Sequence, residues 1–82
     1  MVIEGTILSK EEGLSASFGG VEQRYVRCTI ARLDHPEVHS EARIIGVERL
    51  DTPIGGVVRL EVIRSVTDRK AGVVRFDGKL LA

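Results

Sequence analysis

The chain has 82 residues, which is the size of one small domain covering 1–82. Twelve basic and twelve acidic residues give a formal net charge of zero, and this balance argues against a strong non-specific binder of nucleic acid. The only cysteine is Cys28, which excludes a disulfide within the chain.

Cellular location is indicated by what the sequence lacks. The N-terminal residues do not contain a basic stretch followed by an apolar run, so we expect no secretory leader. No window approaches the roughly 18 consecutive apolar residues that a membrane span needs. Cys28 lies in an apolar alternation with no acid or histidine beside it, as expected for a small core side chain in a reducing compartment. We therefore expect a soluble, cytoplasmic protein with no membrane contact.

The first half of the chain contains two predicted strands. Residues 2–9 form the first, and residues 10–20 form a predicted loop with three glycines and two serines. Residues 21–33 form the second strand, because apolar and polar residues alternate along it. The inward side of this strand is predicted to carry Val26, Cys28 and Ile30. Tyr25 and Arg27 are predicted on its outer side, with Arg24 and Arg32 near its ends.

The third segment is open to two interpretations. Residues 34–36 end the second strand, because Pro36 has no amide hydrogen for the ladder. Residues 41–50 favour a strand, since their isoleucines, valine and glycine are poor helix formers. A helix starting at Pro36 is the alternative.

The second half of the chain reads as strands joined by short turns. Residues 51–56 are a tight connection, and the regular alternation at 57–66 predicts a strand. Residues 67–72 are predicted to be a charged turn. Two short strands, 73–76 and 79–82, are predicted to flank Asp77-Gly78, a dipeptide typical of a two-residue hairpin turn. This pattern predicts an all-β fold, a small antiparallel barrel of five to six strands.

The order of these segments resembles the oligonucleotide/oligosaccharide-binding (OB) fold. The segments concerned are a first strand with a central glycine, VIEGTI, a long second strand, a third strand, and GGVVRLEVI entering the fourth. The resemblance covers most of the chain as a pattern of strands and turns. OB folds of this size usually place a helix between strands three and four, and residues 51–56 leave no room for one. An SH3-like barrel is therefore the alternative, because it has a long first loop and needs no helix.

The OB resemblance implies a binding surface for nucleic acid on strands two and three. Binding of a single strand uses aromatic rings that stack on bases and basic groups that follow phosphates. The candidate residues are Tyr25, Arg27, Arg43 and Phe18. A stacked base contributes about 1–3 kcal/mol, so two aromatic rings predict only weak binding of single-stranded DNA or RNA.

The same residues also have a purely structural interpretation. Tyr25 would cover one end of the barrel, Phe18 would pack on the core, and the arginines would pair with nearby acids: Glu22, Glu41 and Glu48. A second basic cluster consists of Arg59, Arg64, Arg69, Lys70, Arg75 and Lys79. Acidic residues interrupt it (Glu61, Asp68 and Asp77), and this favours cross-strand ion pairs over a binding patch.

Catalytic and metal-binding motifs are not found in the sequence. The serines and glycine pairs do not fit a nucleophile elbow or a phosphate loop. His35 and His39 are four residues apart, but no cysteine or third histidine is near, and a hairpin loop is the expected structure there. We expect neither an enzyme nor a bound metal or cofactor.

The alternative function is a protein interaction module, either a homo-oligomer or a subunit of a larger complex. Apolar residues in phase with the outer side would make both faces of the sheet partly apolar: Ile45, Val47 and Ile63. Zero net charge and a small core suit this interpretation as well.

Overall fold

The fold consists of five strands and no helix in the described part of the chain. The computed structural model describes residues 1–68 and 73–81. The strands are β1 (Val2–Phe18), β2 (Val21–Arg32), β3 (His39–Ile45), β4 (Val57–Asp68) and β5 (Val73–Leu80). The prediction of an all-β protein is confirmed. The described residues include no helix that could cross a membrane.

The five strands form one sheet that closes into a ring. Their order is β1-β2-β3-β5-β4, and β4 pairs again with β1. Four pairings are antiparallel, whereas β3 and β5 are parallel. The prediction of a wholly antiparallel sheet is wrong at this pair. The chain leaves β3, forms β4 on the far side of β5, and then returns as β5 in the same direction as β3.

The core occupies the inside of the ring. Its fully buried side chains come from four strands: Ile7, Ile30, Ile44, Leu60, Val26 and Cys28. The inward residues predicted for β2 are therefore confirmed, and β2 itself ends within one residue of the predicted boundary. Burial raises the pKa of the Cys28 thiol to about 11, so the neutral thiol packs as a small apolar side chain.

Strand β1 is much longer than predicted. Residues 10–18, expected to be a loop, continue the pairing with β2 as far as the partners Phe18 and Val21. Two bulges interrupt the register, one between Ile7 and Ser9 and the other between Glu11 and Leu14. Gly13 lies in the second bulge with a φ of 72°, a conformation that a residue with a side chain rarely adopts. The loop prediction is wrong because a bulge needs the same glycine that marks a loop.

Strands β1 and β2 form a hairpin. Its part beyond the second bulge, residues 14–25, is called the arm. Its turn consists of Gly19 and Gly20, both with positive φ (61° and 82°), as a two-residue hairpin turn requires. The arm is fixed to the chain that follows β3, because the amide of Gly46 donates a hydrogen bond of 2.7 Å to the carbonyl of Arg24.

Strand β3 is shorter than predicted, and the helix alternative is wrong. It covers His39–Ile45 and ends at Gly46, whose φ is 88°. Beyond it, the chain turns across one end of the ring, and Leu50 is buried in the core there. The Lys10 ammonium group donates hydrogen bonds to the carbonyls of Leu50 (2.8 Å) and Thr52 (3.1 Å) and so secures this connection.

The prediction of a hairpin turn at Asp77-Gly78 is also wrong, because both residues lie inside β5. A Cβ atom on Gly78 would be 2.5 Å from the carbonyl oxygen of Glu61 on β4. The glycine is thus needed for close approach of two main chains, beside a bulge in β4 between Val62 and Arg64.

The remaining predictions concern the connections around β4. The tight connection at 51–56 is confirmed, and β4 extends two residues past its predicted end. The predicted charged turn at 67–72 lies mostly outside the described residues, as do Arg69 and Lys70 of the second basic cluster.

Candidate functional site

Three of the four predicted binding residues come together on the outer side of the ring. Phe18 ends β1 and Tyr25 lies on β2, and their rings meet edge to face with centroids 5.4 Å apart. The guanidinium carbon of Arg43, on β3, lies 4.8 Å from the centroid of Phe18 and 5.8 Å from that of Tyr25. These distances are typical of cation–π contacts. We call Phe18, Tyr25 and Arg43 the aromatic cluster.

The two faces of the arm differ in polarity, and Phe18 and Tyr25 of the aromatic cluster both lie on the less polar face. Residues that alternate along the two paired strands share one face: Leu14, Ala16, Phe18, Val21, Gln23 and Tyr25. The opposite face carries serines and charges. Ile45 is the register partner of Tyr25 and is buried, yet it does not belong to the core cluster inside the ring. The arm therefore covers Ile45 on the outer wall.

A row of charged residues runs across all five strands beside the aromatic cluster. Successive register partners are Glu11 and Arg27, Arg27 and Arg43, Arg43 and Asp77, and Asp77 and Arg64. Two arginines thus face each other directly, and each has an acid on its other side. We call these five residues the charged row.

Arg43 and Asp77 form the best-shielded ion pair of this row. The Nε and Nη2 atoms of Arg43 donate hydrogen bonds of 2.7 and 2.8 Å to the two carboxylate oxygens. The Asp77 side chain is 4% exposed and that of Arg43 is 19% exposed. The hydrogen bonds raise the pKa of Arg43. Burial by itself would raise the pKa of Asp77, but hydrogen bonds and charge from Arg43, with the charges of Arg75 and Arg64, hold that pKa below its ordinary value.

The lowered pKa of Asp77 predicts a loss of stability in acid. A carboxyl group whose pKa is lower in the folded state contributes stability above its unfolded-state pKa of about 3.9, and this contribution disappears as the pH falls through the folded-state pKa. We expect the difference in unfolding free energy between the wild type and Asp77→Asn to shrink steadily below about pH 4. Urea unfolding followed by circular dichroism at several pH values measures it. A difference that stays constant from pH 7 to pH 2 would contradict the role given to this carboxylate.

Arg75 is a second cation beside the same carboxylate. Its Nε lies 3.7 Å from an oxygen of Asp77, too far for a hydrogen bond. Among the described residues, this Nε is the only buried nitrogen or oxygen atom of a side chain that has no hydrogen-bond partner. Both oxygens of Asp77 thus accept a hydrogen bond from Arg43, whereas Arg75 interacts with this carboxylate only electrostatically.

The fourth predicted residue, Arg27, lies apart from the aromatic rings. Its guanidinium group donates a hydrogen bond to Glu11 and lies 3.8 Å from Glu41. Two carboxylates thus compensate its charge, as the structural interpretation expected for Glu41. The structural interpretation also agrees with the structure for Arg24, which pairs with Glu48 at 3.6 Å. It does not describe Glu22, which accepts a hydrogen bond from Ser15.

A groove of about 350 Å³ opens next to the aromatic cluster. It is lined by residues of the arm and of β3, β4 and β5, which include Phe18, Arg43, Ile45, Ile63, Arg64, Asp77 and Lys79. Asp77 was missed in the sequence because it was assigned to a turn. Arg64 and Lys79 were recognised only as part of the dispersed basic cluster, since nothing in the sequence places them beside Phe18.

A larger groove, of about 690 Å³, is lined by residues of β1, β2 and β3 and includes Glu11 and Arg27 of the charged row. Its charged lining residues are Lys10, Glu11, Arg27 and Glu41. These four charges balance, and Arg27 is paired within the groove. The smaller groove is therefore the better candidate for an anionic ligand.

Comparison with known proteins adds no identification: no family model matches the chain, and no match is found among curated proteins or solved structures.

Proposed function

We propose that this protein is an OB-like module that binds single-stranded nucleic acid weakly through the aromatic cluster and the adjoining groove. Support for the fold assignment comes from the ring order, in which β1 lies between β2 and β4 and β3 runs parallel to β5. A five-stranded ring of this connectivity is typical of OB barrels. The parallel pair disfavours an SH3-like barrel, whose sheets are antiparallel.

The observation that carries the proposal is the position of Arg43 over two aromatic rings, with Arg43 and Phe18 both lining a groove. Proteins that bind single strands combine aromatic side chains for stacking with cations that follow the backbone. Phe18 and Tyr25 provide the aromatic surface, and Arg43 contributes a cation packed against both rings. The surface is small, so affinity is modest and rises at low salt.

Fluorescence anisotropy with labelled oligothymidylate at low salt tests this function. Tyr25→Ala and Phe18→Ala are each expected to weaken binding about 10-fold, since a stacked base contributes on the order of 1–3 kcal/mol. Val38→Ala changes an exposed apolar residue in the loop before β3 and is the control, expected to bind like the wild type. Absence of binding by the wild type, or full affinity in both aromatic variants, refutes the proposal.

A protein interaction module is the second candidate. It is favoured by two exposed apolar residues at the edge of the same surface, Val21 and Ile63, each 59% exposed. Light scattering separates the two functions. A stable dimer or larger assembly that ignores oligonucleotides favours the interaction module, whereas a monomer that binds oligonucleotides favours nucleic-acid recognition.

A further inference from the structure

The groove contains more positive than negative charge, although the whole chain is neutral. Its charged lining residues are Arg43, Arg64 and Lys79 against the single acid Asp77. Arg43 already occupies both oxygens of that acid. Among the described residues, neither Arg64 nor Lys79 forms an ion pair. Arg64 shares Asp77 with Arg43, and Lys79 stands opposite its register partner Glu61 without an ion pair among the described residues. Among the described lining residues, three cations face one acid.

The bulge in β4 places Arg64 at this position. The register pairs Val62 with Gly78 and then Arg64 with Asp77, so Ile63 is the extra residue. Without the bulge, Ile63 would stand opposite Asp77 and Arg64 would shift to the other face of the strand. Lys79 lies two residues beyond Asp77 on β5, on the same side. Arg64 and Lys79 thus flank the buried carboxylate, and all three residues line the same groove as Phe18.

Among the described residues that line the groove, Asp77 is the only acid. The charges of Arg43, Arg64 and Arg75 all act on Asp77, and the first two of these arginines line the groove. This excess of positive charge attracts a further anion, and guanidinium groups match the geometry of phosphate oxygens.

We propose that Arg64 and Lys79 form a phosphate subsite that holds one phosphodiester group of a bound strand. The inference rests on the proposed function, because the same strand stacks its base on Phe18 and Tyr25. Phe18 and Arg43 of the aromatic cluster line the same groove as Arg64 and Lys79.

The salt dependence of oligonucleotide binding tests the subsite. Each phosphate contact on a single strand contributes about 0.7 to the slope of log K against log salt concentration. Because both side chains hold one phosphate, the double variant of Arg64→Gln with Lys79→Gln is expected to reduce the slope by about 0.7 and each single variant by part of it, whereas Tyr25→Ala lowers affinity without changing the slope. Arg59→Gln is the matched control, because Arg59 lies on the same strand and pairs with Glu4 at 3.6 Å, outside the groove.

A second experiment repeats the binding measurement with an oligonucleotide that has neutral methylphosphonate linkages. A third titrates the protein with inorganic phosphate and follows the resonances by NMR. The neutral oligonucleotide should bind Arg64→Gln and wild type equally. Equal slopes for Arg64→Gln, Lys79→Gln and Arg59→Gln overturn the subsite while leaving nucleic-acid binding intact. If the wild type binds no oligonucleotide but phosphate shifts the resonances of residues in the groove, the anion subsite stands and the proposed function fails. If neither ligand binds, both are overturned.

Discussion

Replacing Arg43 with methionine is expected to lower the free energy of unfolding by about 3 kcal/mol. The change leaves Asp77, whose side chain is 4% exposed, without its hydrogen-bond donors. Removing one partner of a buried ion pair costs about 3–5 kcal/mol, because the remaining charge is desolvated and uncompensated. Because Arg75 remains 3.7 Å from the carboxylate and compensates part of its charge, we expect a loss at the lower end of this range. Urea unfolding at pH 7 measures it.

Arg27→Met is the matched control for this change. Arg27 is the register partner of Arg43 on the neighbouring strand, but its ion pairs are half exposed to solvent. Pairs of that kind contribute about 1 kcal/mol or less. The double variant Arg43→Met with Asp77→Leu should recover much of the loss, because apolar side chains can replace both members of a buried pair. Similar losses in the two single variants would show that the Arg43–Asp77 pair is no better shielded than its neighbour.

Gly78→Ala is expected to destabilise the ring by about 3 kcal/mol, at the upper end of what overpacking usually costs. The added methyl group would be 2.5 Å from the carbonyl oxygen of Glu61 and 3.2 Å from its carbon. Both atoms belong to the main chain, so β4 and β5 must separate rather than a flexible side chain moving aside. Thermal unfolding followed by circular dichroism detects the loss as a lower Tm.

Lys79→Ala serves as the comparison for Gly78→Ala, because it adds no atoms and alters the adjacent exposed position. Its effect on stability should stay within about 0.5 kcal/mol. If Gly78→Ala were equally mild, the close contact between β4 and β5 would have to be looser than described.

Prediction from sequence worked where a single strand determines the outcome. The alternation in β2 gives the buried residues Val26, Cys28 and Ile30 directly, since successive side chains point to opposite faces. Prediction failed where a contact between two strands that are distant in sequence determines which residue is needed. Gly78 looks like a turn residue, and only the approach of Glu61 across the sheet shows why a glycine is needed inside β5.

The candidate site was predictable to a similar extent. Phe18 and Tyr25 could be nominated from residue type, because aromatic side chains are few in this chain. Their meeting depends on the register of the arm, and that register follows from a bulge whose glycine resembles a loop signal. Asp77 could not be found, because its contact with Arg43 exists only through the parallel pairing of β3 with β5.

The closure of the ring also determines the order in which the chain can fold. Val2 pairs with β4 at Glu61, and β3 pairs with β5 from Glu41 to Ile44, so both closing contacts need strands made late in synthesis. Small proteins dominated by such distant pairings fold in roughly milliseconds to seconds. The β1–β2 hairpin can form once Arg32 has left the ribosome, but its aliphatic inner side then has no cover. Until β4 and β5 have been made, the chain exposes this apolar side and is prone to aggregation.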